Sequence, residues 1–109
     1  MLEGLLGSVN AERVLLFIHA RKESHASEIA RFHGSAVSPI QHHLARLEQA
    51  GILVSKMTGK TRVFTMNPRY PFLKELQQLL QKALEFLQVA DREALVHIRR
   101  RPRRKGKPL

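Results

Sequence analysis

The chain has 109 residues, with 19 Lys and Arg against 9 Asp and Glu, and a formal net charge of +10. Such an excess of positive charge favours a polyanionic partner. The lack of cysteine excludes disulfides, thiolate metal sites and redox sensing through thiols. No apolar run approaches the roughly 20 residues that span a bilayer and no signal pattern opens the chain, so we expect a cytoplasmic protein without a membrane partner.

The positive charge is concentrated at the end of the chain. Residues 99–109 hold seven of the basic residues and none of the acidic ones, and Pro102, Gly106 and Pro108 interrupt them. This composition predicts a disordered tail. We expect the tail either to follow a phosphate backbone without reading sequence or to serve only as a solubilising terminus.

The N-terminal part of the chain is predicted to be helical. A short apolar turn ends at Gly7, and Ser8 offers a cap for a second helix over residues 11–21, whose apolar residues recur at helical spacing. Residues 24–26 are weakly patterned and suit a single extended bridge. A third helix is expected over residues 27–33.

The next helix carries the strongest functional signal. Ser38 suits the N-cap, Pro39 the first helical position, and Gly51 a left-handed helix end. Because Gly34 permits a tight connection from the preceding helix, the two helices form a helix-turn-helix pattern. Ile40, Leu44 and Leu47 form an apolar face on the new helix. The opposite face is therefore free to contact a ligand.

The free face of this helix is predicted to read DNA in the major groove. The Gln41 amide can pair with adenine, and Arg46 can reach phosphate or guanine. His42 and His43 are adjacent, so they point about 100° apart and do not form a chelating pair. We expect His42 to face DNA and His43 to pack towards the core. A solvated helix face is the alternative interpretation of these residues.

Two strands are predicted after Gly51, over residues 52–57 and 62–66, and residues 58–61 form the hairpin tip of a two-stranded wing. Exposed cations on such a narrow projection suit contacts to phosphate or to the minor groove, and simple solvation is the alternative. The expected DNA contacts in the whole chain are Ser38, Pro39, Gln41, His42, Arg46, Lys56, Thr58, Lys60, Thr61 and Arg62.

A long final helix is predicted from Pro71, which forces the preceding residue out of helical geometry and suits a first turn. Its apolar residues alternate spacings of three and four, as in a coiled-coil seam, at Leu73, Leu76, Leu80, Ala83, Leu87, Ala90 and Ala94. A helix that continues to His97 is about 40 Å long, more than a small domain covers. We therefore expect a homodimer through residues 71–97.

No combination of residues predicts catalysis or a cofactor. The chain has no Gly-rich phosphate loop and no spaced nucleophile and base, so we expect it not to be an enzyme. Glu93 and His97, near Asp91, have the i, i+4 spacing that permits joint metal ligation. A surface ion pair is the more common use of that spacing, and no metal site is predicted.

With these elements in order, the chain resembles the ArsR-type winged helix-turn-helix transcriptional regulators over residues 2–90. The resemblance is carried by Leu5-Leu6-Gly7-Ser8 with Glu12-Arg13-Val14-Leu15, by the helix from Ser38 to Gly51, and by the wing from Lys56 to Phe64. It implies a dimer paired through terminal helices, with recognition helices in successive major grooves and wings on the flanking backbone. The absence of cysteine excludes the thiolate metal sensing of some members.

The predicted fold class is mainly α, of the α+β kind, with a winged helix-turn-helix domain over 1–70, a long dimerisation helix over 71–98 and a disordered basic tail over 99–109. The predicted function is that of a homodimeric, sequence-specific regulator that binds double-stranded DNA, on the nucleoid. A non-specific architectural protein that uses the tail is one alternative. The other is a partner-binding module, because residues 67–72 also resemble winged-helix modules that precede nucleotidyltransferase domains. The sequence identifies no small-molecule effector.

Overall fold

A computed structural model of the chain describes residues 1–87, 91 and 94–96. They form an α+β fold that is compatible with a winged helix. In chain order the elements are α1 (Glu3–Leu6), α2 (Val9–Arg21), β1 (Glu23–Ser24), α3 (Ala26–His33), α4 (Val37–Gln49), β2 (Leu53–Thr58), β3 (Thr61–Met66) and α5 (Leu73–Glu85). Residues 91 and 94–96 are also helical. None of the helices formed by these residues combines the length and the apolar character needed to cross a lipid bilayer.

The predicted end of the first helix and the predicted cap of the second are confirmed. α1 ends at Gly7, which takes a left-handed φ of 94°. Ser8 is the N-cap of α2, and its Oγ accepts a hydrogen bond from the Ala11 amide at 2.9 Å. Because the cap lies at Ser8, α2 begins at Val9, ahead of the predicted start at residue 11.

The connection between α3 and α4 is closed by backbone hydrogen bonds. Gly34 ends α3 in the left-handed region with φ 64°, which costs glycine little because it has no Cβ. The Ser35 amide then donates to the Ala30 carbonyl at 2.9 Å. These bonds satisfy the end of α3 within a tight turn, as the sequence predicts.

The start of α4 differs from the prediction. The tight turn leaves Ala36 as the N-cap and Val37 as the first helical residue, so the prediction that Ser38 caps the helix is wrong. Pro39 lies within the first turn, where its missing N–H leaves no helical hydrogen bond unmade. The other end of α4 agrees with the sequence, since Gly51 adopts φ 83° directly after it.

The three strands form one antiparallel sheet in the order β1-β3-β2. β2 pairs with β3 along its whole length, and β1 pairs with the other edge of β3. β1 overlaps the extended bridge predicted over residues 24–26 only at Ser24. The turn of the β2–β3 hairpin is tighter than the predicted tip over 58–61, because only Gly59 and Lys60 connect the strands. Gly59 has φ 64°, which a two-residue hairpin turn requires.

The largest correction concerns the final helix. A single helix over residues 71–97 does not form, since α5 begins at Leu73, ends at Glu85 and has 13 residues. Its length is therefore about 20 Å, half of the length predicted. The Phe86 and Leu87 amides donate to carbonyls three residues back, a tight 3₁₀-type turn that ends the helix.

The physical reason for the early end is burial. Most of the predicted coiled-coil seam packs into the core of this chain, through Leu76, Leu80, Ala83 and Leu87. Leu95 returns to the same core and is only 4% exposed. In a straight helix Leu95 would lie about 15 Å beyond Glu85 along the axis, away from the core. These four residues of the seam thus pack within one chain.

α2 is the centre of this core. The buried side chains of α2 are joined by residues from each neighbouring element, and the fully buried ones include Val14, Leu15, Phe17, Ile18, Ile29, Ile40, Leu44, Leu53 and Leu80. Burial of one such side chain contributes roughly 1.5–3 kcal/mol relative to exposure. The position of α4 is therefore set by its packing on α2 and α3.

Arg21 is a charged side chain within this apolar surround, and it is 8% exposed. Its Nε donates to the Leu95 carbonyl at 2.8 Å, and its Nη1 forms an ion pair with Glu28 Oε2 at 3.2 Å. The guanidinium carbon lies 4.2 Å from the Phe17 ring centroid and 5.3 Å from that of Phe32. One side chain thus joins α2, α3 and the returning C-terminal segment.

His33, at the end of α3, lies near the same cluster. Its Nε2 is buried and has no hydrogen-bond partner within the described part of the chain. Burial, together with the charges of Arg13 and Arg21, lowers the pKa of His33 from 6.5 to about 4. The imidazole is therefore neutral at neutral pH.

We expect Arg21→Ala to lower the free energy of unfolding by about 3 kcal/mol, because it removes the ion pair of the part-buried Glu28 carboxylate and the donor to the buried Leu95 carbonyl. Urea denaturation measures the change. Arg31→Ala is the matched control, since Arg31 is an exposed arginine on α3, and it should stay within about 0.5 kcal/mol of the parent protein. Equal losses in both variants would contradict this role of Arg21.

We expect His33→Gln to make the fold less sensitive to acid. The pKa of His33 is lower in the folded state, about 4, than the ordinary value of 6.5. The folded protein therefore binds fewer protons, so this contribution to stability is complete above the unfolded pKa and is lost as the pH falls towards the folded one. The loss is at most about 3 kcal/mol. Unfolding free energies of both proteins between neutral pH and about pH 4 measure it, and parallel curves would contradict it.

Candidate functional site

A cleft of about 610 Å³ opens between α4, the β2–β3 hairpin and the start of α3. Side chains of three elements line it, and they include Gln41, Ala45 and Glu48 of α4, Lys60, Thr61 and Arg62 of the hairpin, and His25 and Ser27 at the start of α3. An amide on one wall and two cations on another therefore face the same open space. Four residues predicted to contact DNA thus lie together in the cleft: Lys60, Thr61 and Arg62 of the hairpin, and Gln41 of α4.

α4 presents a polar face to solvent because its apolar residues anchor the opposite face. Ile40 and Leu44 are buried, and Leu47 packs against the core. The exposed residues between Ser38 and Gln49 are Ser38, Pro39, Gln41, His42, Ala45, Arg46 and Gln49. Helical spacing places Ala45 between Gln41 on one side and His42 and Arg46 on the other. All the α4 residues predicted as contacts are thus exposed, but of these only Gln41 also lines the cleft.

The two adjacent histidines of α4 occupy different environments, as their spacing predicts. His42 is exposed, whereas His43 is half-buried and its Nε2 lies 3.3 Å from Ser8 Oγ. Burial, followed by the positive charges of Arg46 and His42, lowers the pKa of His43. His43 thus links the N-cap of α2 to α4, and His42 remains on the open face.

The β2–β3 hairpin has two distinct faces because side chains alternate along each strand. Arg62 pairs with Met57 and Phe64 with Ser55, and these four side chains share the face towards α4. Lys56 alternates with them and lies on the other face. The structure thus brings Lys60, Thr61 and Arg62 to the cleft. Lys56 and Thr58 are exposed but stand apart from it.

A chain of hydrogen bonds connects α4 to the hairpin. Ser55 Oγ donates to Glu48 Oε2 at 2.6 Å, and Arg62 Nη1 donates to Ser55 Oγ at 2.9 Å. Bonds that involve a charged partner are stronger than those between neutral groups. The two walls of the cleft are therefore held together by side chains as well as by packing.

Sequence reasoning did not identify Glu48, Ser55 or the α3 wall as parts of the site. Helical spacing places Glu48 off the buried face, and strand alternation places Ser55 on the same face as Arg62, so weak signals for both exist. No local signal indicates the wall formed by His25 and Ser27. That wall depends on the packing of α3 against α4, which is a tertiary property.

The cleft offers hydrogen-bond donors to an anionic ligand. Lys60 and Arg62 supply cationic N–H groups, and Gln41 supplies both a donor and an acceptor. Within residues 1–87, 91 and 94–96, no group of three or more His, Cys, Asp or Glu side chains is arranged to hold a metal ion. Glu93, His97 and the basic tail over 99–109 lie outside the described residues.

The chain matches no known protein-family model and no curated protein sequence. Its function is therefore inferred from the cleft and from the exposed face of α4.

Proposed function

We propose that this chain is a homodimeric, sequence-specific transcriptional regulator that binds double-stranded DNA on the nucleoid, with a winged helix-turn-helix similar to the ArsR type. α4 is the recognition helix in this proposal, and the β2–β3 hairpin is the wing. The observation that carries it is the cleft in which Gln41 faces the same space as Lys60 and Arg62. An amide that reads bases beside cations that bind phosphate is the combination that DNA recognition needs.

The exposed face of α4 supports a close approach to base edges. A major groove about 12 Å wide admits an α-helix. Ala45 lies between Gln41 and His42 around the helix, and it is small enough to let the helix backbone lie deep in the groove, where its methyl group suits contact with a thymine methyl. Gln41, His42 and Arg46 flank Ala45 as the polar readers. Few base-reading side chains are available in one chain, so specificity benefits from a second copy.

The outer edge of α5 is the surface that we propose for the homodimer, in place of the buried seam. Phe72, Leu79 and Phe86 recur at seven-residue spacing, with Phe72 at the N-cap and Phe86 at the C-cap of α5. Phe72 is 63% exposed and Phe86 is 72% exposed. Aromatic side chains exposed in a row are typical of association surfaces. A symmetric pair then presents two copies of α4 to half-sites roughly 34 Å apart.

The basic tail favours a second candidate function, that of a non-specific architectural protein whose affinity comes mainly from residues 99–109. Seven cations without an acidic residue bind phosphate regardless of sequence. Deletion of residues 99–109 separates the two functions. A sequence reader keeps its preference for a selected duplex when the tail is removed, whereas an architectural protein loses most of its affinity for every duplex.

We expect random-oligonucleotide selection at near-physiological salt to yield a two-fold symmetric site. Gln41→Ala should then weaken binding to the selected duplex about 10- to 100-fold and relax the preference at one base pair, because a bidentate amide pair is lost. Gln78→Ala is the matched control, since Gln78 is an exposed glutamine on α5. Uniform recovery of all sequences, or equal effects of the two variants, would contradict specific reading by α4.

We expect Phe72→Ser combined with Phe86→Ser to convert the dimer to a monomer, because it removes the two most exposed aromatic side chains of the α5 edge. Light scattering coupled to gel filtration measures the mass. Met57→Ser is the control, since Met57 is also an exposed apolar residue, at 55%, but lies on the hairpin. A dimer that survives the double substitution would place the interface elsewhere, and a parent protein that is monomeric would contradict the homodimer.

A further inference from the structure

Arg62 is an exposed arginine with a defined orientation. Its Nη1 donates to Ser55 Oγ at 2.9 Å, and Ser55 in turn donates to Glu48 Oε2 at 2.6 Å. No salt bridge joins Arg62 and Glu48 directly within the described residues. The Ser55 hydroxyl is therefore the link, since it accepts from the guanidinium and donates to the carboxylate at the same time.

The register of the hairpin explains why this link forms. Ser55 lies opposite Phe64, and Met57 lies opposite Arg62, so Ser55 and Arg62 are diagonal neighbours on the face towards α4. Diagonal neighbours on one face are about 7–8 Å apart at Cα, a distance that a long side chain spans. Glu48, near the end of α4, completes the chain from the other wall. Arg62 is thus drawn along the hairpin towards α4.

Arg62 also lines the cleft, together with Gln41 and Lys60. A guanidinium has five donors in a planar fork that matches the geometry of a phosphate. One donor is used by Ser55, and the fork is set back from the hairpin turn. This position suits a backbone phosphate between helix and hairpin, whereas insertion into the minor groove needs a cation at the tip, where Lys60 lies.

We propose that Glu48 and Ser55 are positioning residues that aim the Arg62 guanidinium at one phosphate of the DNA strand held in the cleft, a role that rests on the function proposed above. A flexible arginine loses rotamer freedom when it binds, and prior orientation removes that loss before DNA arrives. The link also sets the distance between the base-reading helix and the phosphate-binding hairpin. Ser55 contributes to affinity through Arg62 and not through a contact of its own.

The test compares Ser55→Ala, Ser55→Thr, Arg62→Ala and the Ser55→Ala/Arg62→Ala double variant on the selected duplex over a range of salt. Ser55→Ala should weaken binding about 2- to 12-fold, the equivalent of the cost of immobilising one side chain. Ser55→Thr keeps the hydroxyl and should restore binding to within about twofold. Arg62→Ala should lower the salt slope by about one phosphate contact.

The double variant distinguishes positioning from direct contact. If Ser55 acts through Arg62, Ser55→Ala adds no more than about a twofold loss to Arg62→Ala. Losses that multiply would overturn the proposal, because Ser55 would then bind DNA independently. Unchanged affinity in Ser55→Ala, or no rescue by Ser55→Thr, would also overturn it.

A measurement on the free protein separates this proposal from the function on which it rests. Nuclear magnetic relaxation of the Arg62 Nε–H group should show a restrained side chain in the parent protein and in Ser55→Thr, and a mobile one in Ser55→Ala. Thr65→Ala is the control, since Thr65 carries a hydroxyl on the other face of β3. If the Arg62 side chain is equally restrained in Ser55→Ala and in the parent protein, the positioning role of Ser55 is overturned, but the DNA-binding function is not. A parent protein with ordered Arg62 that binds no duplex at any salt would overturn the DNA-binding function, and the phosphate target with it.

Discussion

The buried guanidinium of Arg21 is the interaction on which the rest of the structure depends. A cation in an apolar surround is costly unless it is paired and hydrogen-bonded, and the elements around it are arranged so that it is both. Glu28 accepts from Arg21 and also from Ser24 Oγ at 2.6 Å, which brings the end of β1 into the same cluster. The Leu95 carbonyl accepts from the other side. The Arg21 charge thus fixes the positions of α3 and of residues 94–96 together with the apolar packing of Ile29 and Leu95.

The geometry of the candidate site depends on the Arg21 cluster, because that cluster holds α3 and α3 packs against α4. α4 is held on two sides by hydrogen bonds as well as by its buried Ile40 and Leu44 side chains. His43, in the middle of the helix, meets Ser8 at 3.3 Å behind it, and Glu48, in the last turn, meets Ser55 at 2.6 Å in front. A helix restrained at two points keeps its orientation towards a ligand without depending on the ligand. The open face can then carry polar side chains such as Gln41 and Arg46, because these exposed residues are not needed for packing.

Local patterns in the sequence predict the helices from α1 to α4 and the hairpin, because caps, periodicity and glycine turns are properties of short segments. Local patterns do not predict structure where a contact between residues distant in sequence determines it. The periodicity of Leu76, Leu80 and Ala83 predicts an apolar seam correctly but does not say whether the seam packs on a second chain or on α2, and here it packs on α2. In the same way, the exposure of Gln41 and Arg46 follows from helical spacing, whereas the third wall of the cleft follows from tertiary packing alone. The start of α4 at Val37 follows the backbone hydrogen bond from the Ser35 amide to the Ala30 carbonyl, and no residue type in the sequence indicates that bond.

The two-residue turn of the hairpin restricts how the reach of this element can change. With only Gly59 and Lys60 in the turn, the projection beyond the sheet is set by the length of the two strands. Each strand advances about 3.3 Å per residue, and successive side chains point to opposite faces. Loss or gain of one residue in each strand would therefore turn Arg62 away from α4, as a register slip does. The hairpin can therefore lengthen or shorten only by two residues per strand, about 7 Å, if Arg62 is to stay on the face towards α4.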